Sequence, residues 1–151
     1  ELNQLIMEYE LQGKVTIKES VSNDQIQNYY KSAKIFALAY NAEVESLPIP
    51  VIEAMATGLP VVIPYPKEGF SEGLEGTAFF TKSNEKSFTE NIKKLLENVD
   101  LREKYSHRSL CKSKEFDSEK IEKRETEIYL ELVKGVQKWL QYITKIQIVH
   151  Y

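Results

Sequence analysis

Two glutamates, Glu45 and Glu53, stand eight positions apart on either side of a proline-broken helix start, in the run ESLPIPVIEAMATGLPVV from Glu45 to Val62. An ionised carboxylate accepts hydrogen bonds at two oxygens, and a vicinal diol offers it two donors. Pro50 suits the first turn of a helix, where its missing N–H loses nothing. The amides near Leu47, Ile49, Val51 and Ile52 are then expected to be free and to point at the ligand. The helix dipole adds partial positive charge at that end, which favours a phosphate. Two acids beside such a helix start therefore suit a polyhydroxylated, phosphorylated ligand. An acid near a helix start also offsets the dipole without any ligand, and loop acids are commonly just solvated. Spacing alone does not separate these readings.

The elements that must position the pair follow from punctuation and periodicity. All five prolines (Pro48, Pro50, Pro60, Pro64, Pro66) lie in or just after this run. They bound a helix from about Ile49 to Thr57, ended by Gly58, and a strand Pro60–Ile63. Upstream, Leu2, Leu5, Ile6 and Tyr9 recur at helical spacing up to Gly13, and Val15–Ile17 reads as a short strand. Ser22 or Asn23 can cap a helix carrying Ile26, Tyr29 and Tyr30. Ile35–Ala39 is apolar throughout, as in a strand buried on both faces. A glycine-bearing loop from Pro64 to Gly76 leads to a last strand, Thr77–Phe80. Beyond it Phe88, Ile92, Leu95, Leu96 and Val99 form one apolar helix face. Leu101 and Tyr105 mark another helix, and Asp117 or Ser118 opens a long one striped by Ile121, Ile128, Leu132, Val136, Leu140 and Ile143. Strand and helix alternate, so the expected class is α/β with a largely parallel sheet of about four strands. In open sheets of this kind the ligand sits beyond the carboxyl ends of the strands, the side on which Glu45 follows Ile35–Ala39.

Composition narrows the partners. The chain has 151 residues, 42% hydrophobic, with a net charge of −3, which is enough for one domain with a core and gives no support for nucleic acid as the main partner. Cys111 is the only cysteine, so an internal disulfide is excluded and a reducing, cytoplasmic setting is expected. The first thirteen residues do not read as a signal peptide. Leu47–Pro66 carries a single charge, Glu53, yet its prolines and Gly58 exclude a membrane-spanning helix.

The pair and its surroundings resemble a family. Glu45 and Glu53 match the E-x7-E signature of retaining glycosyltransferases of the GT-B fold, glycosyltransferase family 4 type, and EAMATGLPVV at 53–62 reads like that family's EAMA-G-PVV. AKIFAL at 33–38 resembles its ADVFVL strand, Val15–Val21 its V-x-F-x-G-x-V strand and turn, and GFSE at 69–72 its glycine-rich loop ending in an acid. The later helix pair and FDSE at 116–119 also fit. The resemblance covers residues 1–134 and implies an incomplete Rossmann-like domain there, the donor-binding C-terminal domain of GT-B, followed by a helical tail at 135–151.

By that resemblance Glu45 is the catalytic-site acid that binds donor-sugar hydroxyls near the reacting carbon, and Glu53 holds the ribose hydroxyls. Amides around Ser46, Leu47 and Ile49 contact sugar and diphosphate, Val21 and Ser22 lie beside the base, and Glu72 lines the donor site. The substrate is a nucleotide-diphosphate sugar, with transfer at retained anomeric configuration and no cofactor or metal. The chain has no D-x-D motif, its aspartates being Asp24, Asp100 and Asp117. Ser46-Leu47-Pro48-Ile49 stands where the family has Gly-Phe-Gly-Leu, Ala39-Tyr40 where it has Pro-Ser, and Glu19 where it has a turn glycine. These departures bear on donor choice and the base pocket.

The resemblance also implies that two strands bearing an Arg and a Lys for the diphosphate, and an acceptor-binding N-terminal domain, belong upstream of residue 1. The 151-residue chain is accordingly expected to be inactive alone. Two other readings are a non-catalytic nucleotide- or sugar-binding module (or truncated remnant) and a nucleotide-sugar 2-epimerase of similar fold, against which the glutamate motif argues.

Among the remaining residues, His107 and His150 are expected to be solvated. Cys111 is expected to be a packing thiol with no His or acid placed to make it a nucleophile. Glu90/Lys94, Asp100/Lys104 and Glu119/Lys123 are expected as exposed i,i+4 pairs. The tail VQKWLQYITKIQIVHY could lie on a membrane surface. The resemblance favours packing against the acceptor-binding domain instead, because the C-terminal helix of GT-B enzymes crosses back to it.

Overall fold

The computed structural model describes residues 1–42, 47–66 and 74–144. The chain divides into two compact units, Glu1–Ser32 and Ala33–Tyr151. The first holds helices α1 (Leu2–Glu8) and α2 (Asn23–Ser32). Helix α1 stops at Tyr9, before the expected Gly13, because the chain turns left-handed already at Glu10 (φ 51°), and Gly13 takes a second left-handed position (φ 75°). The Ser22 carbonyl accepts from the amides of Gln25 and Ile26, both at 3.0 Å, which starts α2 where the capping residues predicted it.

Val15–Ile17 forms no strand. A strand exists through its ladder of inter-strand hydrogen bonds, and this segment pairs with no other among the described residues. Among the described residues the sheet therefore has three strands rather than about four.

That sheet lies in the second unit and is parallel throughout, in the order β1 (Phe36–Ala37), β2 (Val61–Pro64), β3 (Ala78–Thr81). Val61 stands between Phe36 and Ala78, and Val62 between Ala37 and Phe79. The centre strand β2 is buried at all four residues, as its unbroken apolar run requires. β1 departs from the expectation of burial on both faces: Phe36 is half-buried and Ala37 exposed. Among the described residues it is an edge strand, with a neighbour on one side only.

The chain then alternates as predicted. α3 (Ile49–Ala56) has Pro48 as its N-cap, Pro50 in the first turn, and ends at Thr57 and the left-handed Gly58 (φ 78°). α4 (Glu85–Glu97) and α5 (Val99–Ser113) are separated by one residue, Asn98. Asn98 is extended (φ −114°, ψ 103°) and its side chain accepts from Leu101 N at 2.9 Å, so it closes one helix while capping the next. Val99 therefore opens α5 instead of completing the α4 face. A 3-10 turn (Lys114–Phe116) leads to α6 (Ser118–Thr144), with the Asp117 carboxylate accepting from Glu119 N at 3.0 Å. α6 runs without a break across residues 134 and 135.

The core gathers around β2. Val51, Ala54 and Met55 of α3, Leu95 of α4, and Leu74 and Ala78 bury against Val61, Val62 and Ile63. Each of the Val, Leu, Ile and Met side chains among them contributes about 1.5–3 kcal/mol through removal from water, and the alanines less. α5 packs on both α3 and α4 and adds polar ties at turns. Ser106 Oγ donates to the Gly58 carbonyl (2.5 Å), Arg108 Nη1 to that of Gly76 (2.9 Å), and Ser109 Oγ to that of Thr77 (3.1 Å). Among the described residues the ion pairs are Lys93–Glu97, Lys112–Glu115 and Arg124–Glu127, and none of the three expected pairs closes. Solvated pairs at this spacing gain only about 0.3–0.5 kcal/mol, too little to hold two long side chains together.

Candidate functional site

β1 ends at Ala37 and α3 begins at Ile49, so the helix start lies on the carboxyl side of a parallel sheet, where open α/β folds take their ligands. Pro48 caps α3 with an extended backbone (φ −66°, ψ 140°) and supplies no side-chain cap bond. The Val51 amide, expected to be free, instead donates to the Pro48 carbonyl at 2.9 Å, as the tight first turn brings the two together. Its part in gripping an anion is thereby corrected. Ile49 is 70% exposed and Leu47 half-buried.

Glu53 is the fifth residue of α3, exposed on its second turn. The neighbouring positions Val51, Ala54 and Met55 face the core, so the period of the helix turns Glu53 outward. Glu45, Ser46 and Glu72 lie outside the described residues. Val21 is half-buried and Ser22 exposed, both in the unit Glu1–Ser32. A hydrogen bond from Ser22, followed by backbone amides, holds the exposed Asp24 carboxyl below its ordinary range. Ser22 is thus committed to the α2 start at both its carbonyl and its hydroxyl.

The carboxyl side of the sheet also carries a cavity of about 360 Å³ that the sequence pattern does not announce. Ala39 and Tyr40 line it from beyond β1, Pro64 from the end of β2, and Ser83, Asn84, Glu85 and Phe88 from the start of α4. Asn84 caps that helix, accepting from Ser87 N at 2.9 Å, while Ser87 Oγ accepts from Lys82 N at 3.1 Å. The S-N-x-x-S capping pattern at 83–87 is legible as a helix start. Its meeting with Tyr40 is produced by the parallel topology, which brings together residues more than forty positions apart.

At the amino end of β3 a second cavity, of about 500 Å³, has Thr77, Arg108 and Cys111 among its lining residues. Cys111 is exposed, and its Sγ lies 3.8 Å from the His107 ring, one helical turn earlier on α5. The expectation of a packing thiol with no histidine beside it is therefore overturned: the i,i+4 period places both on one outer face. Among the described residues no group of three or more His, Cys, Asp or Glu could hold a metal ion, and no helix is long and apolar enough to cross a membrane.

Comparison with known proteins supplies an independent view. The family model described as Glycosyl transferases group 1 matches residues 1–109, a span that includes α3, Glu53 and the whole sheet. The O-antigen chain mannosyltransferase RfbU of Salmonella typhimurium is 32% identical over 94 residues, 62% of this chain and 26% of that protein. The matched stretch thus corresponds to about a quarter of that relative's length.

Proposed function

Because the chain belongs to the Glycosyl transferases group 1 family, we propose that it is the donor-binding part of a retaining glycosyltransferase of the GT-B fold, family 4 type. It moves a sugar from a nucleotide-diphosphate sugar to an acceptor. The observation that carries this reading is the start of α3: an exposed acid, Glu53, on a helix without a side-chain cap at the carboxyl end of a parallel strand.

Glu53 accepts hydrogen bonds from the ribose hydroxyls, and Glu45, eight positions earlier, from donor-sugar hydroxyls near the reacting carbon. The amides about Ser46, Leu47 and Ile49, with the positive end of α3, face the diphosphate. Negative charge grows on that diphosphate as the glycosidic bond breaks, and fixed dipoles aimed at growing charge are the main catalytic contribution of such a site. The cationic groups for the diphosphate belong to two strands upstream of residue 1, and the acceptor site to an acceptor-binding domain upstream of those. The relative's name makes a mannose-bearing nucleotide the first donor to try. Calorimetric titration of the chain, extended upstream to include that domain, with UDP- and GDP-sugars tests the reading. Saturable binding of a nucleotide sugar supports it, and indifference to every donor overturns it.

A further inference from the structure

The nucleotide sugar as proposed makes no use of the cavity of about 360 Å³ at the carboxyl side of the sheet. Its two walls differ in chemistry. Tyr40, Pro64 and Phe88 supply an apolar side, with Pro64 fully buried at the end of β2 and both rings half-buried. Ser83, Asn84 and Glu85 form an exposed polar rim at the start of α4. The Asn84 side-chain oxygen is taken by Ser87 N at 2.9 Å, which leaves its NH2 group as a donor. Beside it stand a hydroxyl that donates and accepts and a carboxylate that accepts.

That lining selects against an anion. Among the described residues it holds one acid and no lysine or arginine. Asn84 already caps the start of α4, and Glu85 in the first turn offsets the helix dipole. The diphosphate of a donor, which needs positive charge, is therefore disfavoured here. The volume stands at the lower end of the range of about 300–1,000 Å³ for small-molecule sites, which suits one sugar ring better than a whole nucleotide sugar. A pyranose has an apolar C–H face and a rim of hydroxyls. The electron-rich faces of aromatic rings complement the first, and a row of hydroxyl, amide and carboxylate the second. The cavity and the start of α3 lie on the same side of the sheet, the side proposed for the donor.

We propose that this cavity seats the terminal sugar of a glycan acceptor, with Tyr40 and Phe88 against its ring and Ser83, Asn84 and Glu85 on its hydroxyls. The body of the acceptor stays with the upstream domain, and the cavity adds a contact from the donor-binding side. The acceptor role rests on the glycosyl-transfer reading, whereas the affinity for a neutral sugar ring rests on the cavity alone.

The isotope-labelled 151-residue chain is titrated by NMR with methyl mannopyranoside, with methyl glucopyranoside and with inorganic phosphate. Saturable shifts are expected at the amides of Ser83–Phe88 and the rings of Tyr40 and Phe88 with at least one pyranoside, and none with phosphate. Tyr40→Ala is expected to weaken that binding about tenfold, and Tyr40→Phe to restore most of it. Ser83→Ala with Glu85→Gln changes only exposed positions, so it keeps the test open where Tyr40→Ala does not fold. This pair is expected to weaken binding about threefold or more. Lys94→Gln, at the other end of α4, is expected to bind as the parent does. No saturable shift with either sugar, an equal response to phosphate, or equal loss in Lys94→Gln each overturns the proposal.

In the chain extended upstream, the pyranoside shifts are expected to persist at saturating GDP-mannose and UDP-glucose. Their displacement assigns the cavity to the donor's own sugar and overturns the proposal. Calorimetry of donor binding to the same chain separates the two readings. Donor binding without pyranoside shifts overturns this proposal alone. Pyranoside shifts in a chain that binds no donor overturn the donor reading and the acceptor role together.

Discussion

The hydroxyl of Ser106 donates to the carbonyl of Gly58 across 2.5 Å, joining the middle of α5 to the left-handed turn that ends α3. The helix that carries Glu53 is therefore fixed at its far end by a residue 48 positions later in the chain. Ser106→Ala removes the donor and is expected to destabilise the fold by about 1 kcal/mol. Gly58→Ala is expected to lose about 1–2 kcal/mol through its positive φ, because an added Cβ meets Ser106 Oγ at an ordinary 3.6 Å. Urea unfolding of both variants checks these values, and an unchanged midpoint for Gly58→Ala would argue against the left-handed turn.

Met55 of α3 is fully buried. Met55→Ala is expected to destabilise by about 2–5 kcal/mol, the range for emptying a packed core position. A loss below about 1 kcal/mol, again from urea unfolding, would show that the core collapses around the gap.

In the upstream-extended chain, Glu53→Gln is expected to weaken nucleotide-sugar binding by about tenfold or more, the scale of losing hydrogen bonds to a charged acceptor. Unchanged affinity would count against a ribose contact. Glu45→Gln is expected to lower turnover while leaving binding of the bare nucleotide diphosphate nearly intact. Equal loss of both would remove its sugar-facing role.

The 151-residue chain by itself is expected to show no sugar transfer. A radiolabelled-donor assay with the purified chain checks this, and steady turnover would show that the upstream domain is dispensable.

The Asp24 carboxyl is held low by Ser22 and by backbone amides. A carboxyl lowered on folding stabilises the folded state above its unfolded value, here 3.8, and loses that contribution as pH falls through the folded value. NMR titration of the Asp24 side chain should give a midpoint below 3.8, and Ser22→Ala should move it upward. A midpoint that ignores Ser22→Ala would leave the backbone amides as the whole cause.

α3 and β2 are legible in the sequence because prolines and a glycine mark their ends and their burial leaves a continuous apolar signature. Val15–Ile17 has strand composition, but a strand also needs a neighbour, which composition does not encode. The split of α4 from α5 turns on one asparagine, whose capping preference competes with an apolar period that continues through Val99. Within the site, Glu53 can be found because its motif is local. The cavity under Tyr40, Asn84 and Phe88 cannot, since the crossovers of the parallel sheet assemble it from segments that carry no shared pattern.

β2 is enclosed on both sides, while β1 is two residues long with Ala37 at the surface. Free energies of local opening follow that difference. In amide exchange the protons of Val61–Ile63 should be the last to be replaced, near the limit of global unfolding, and those of Phe36 and Leu38 earlier. The segment bearing Glu45 follows the edge strand, and Glu53 belongs to a helix packed on the enclosed one. Glu53 is thus anchored to the part of the fold that opens last.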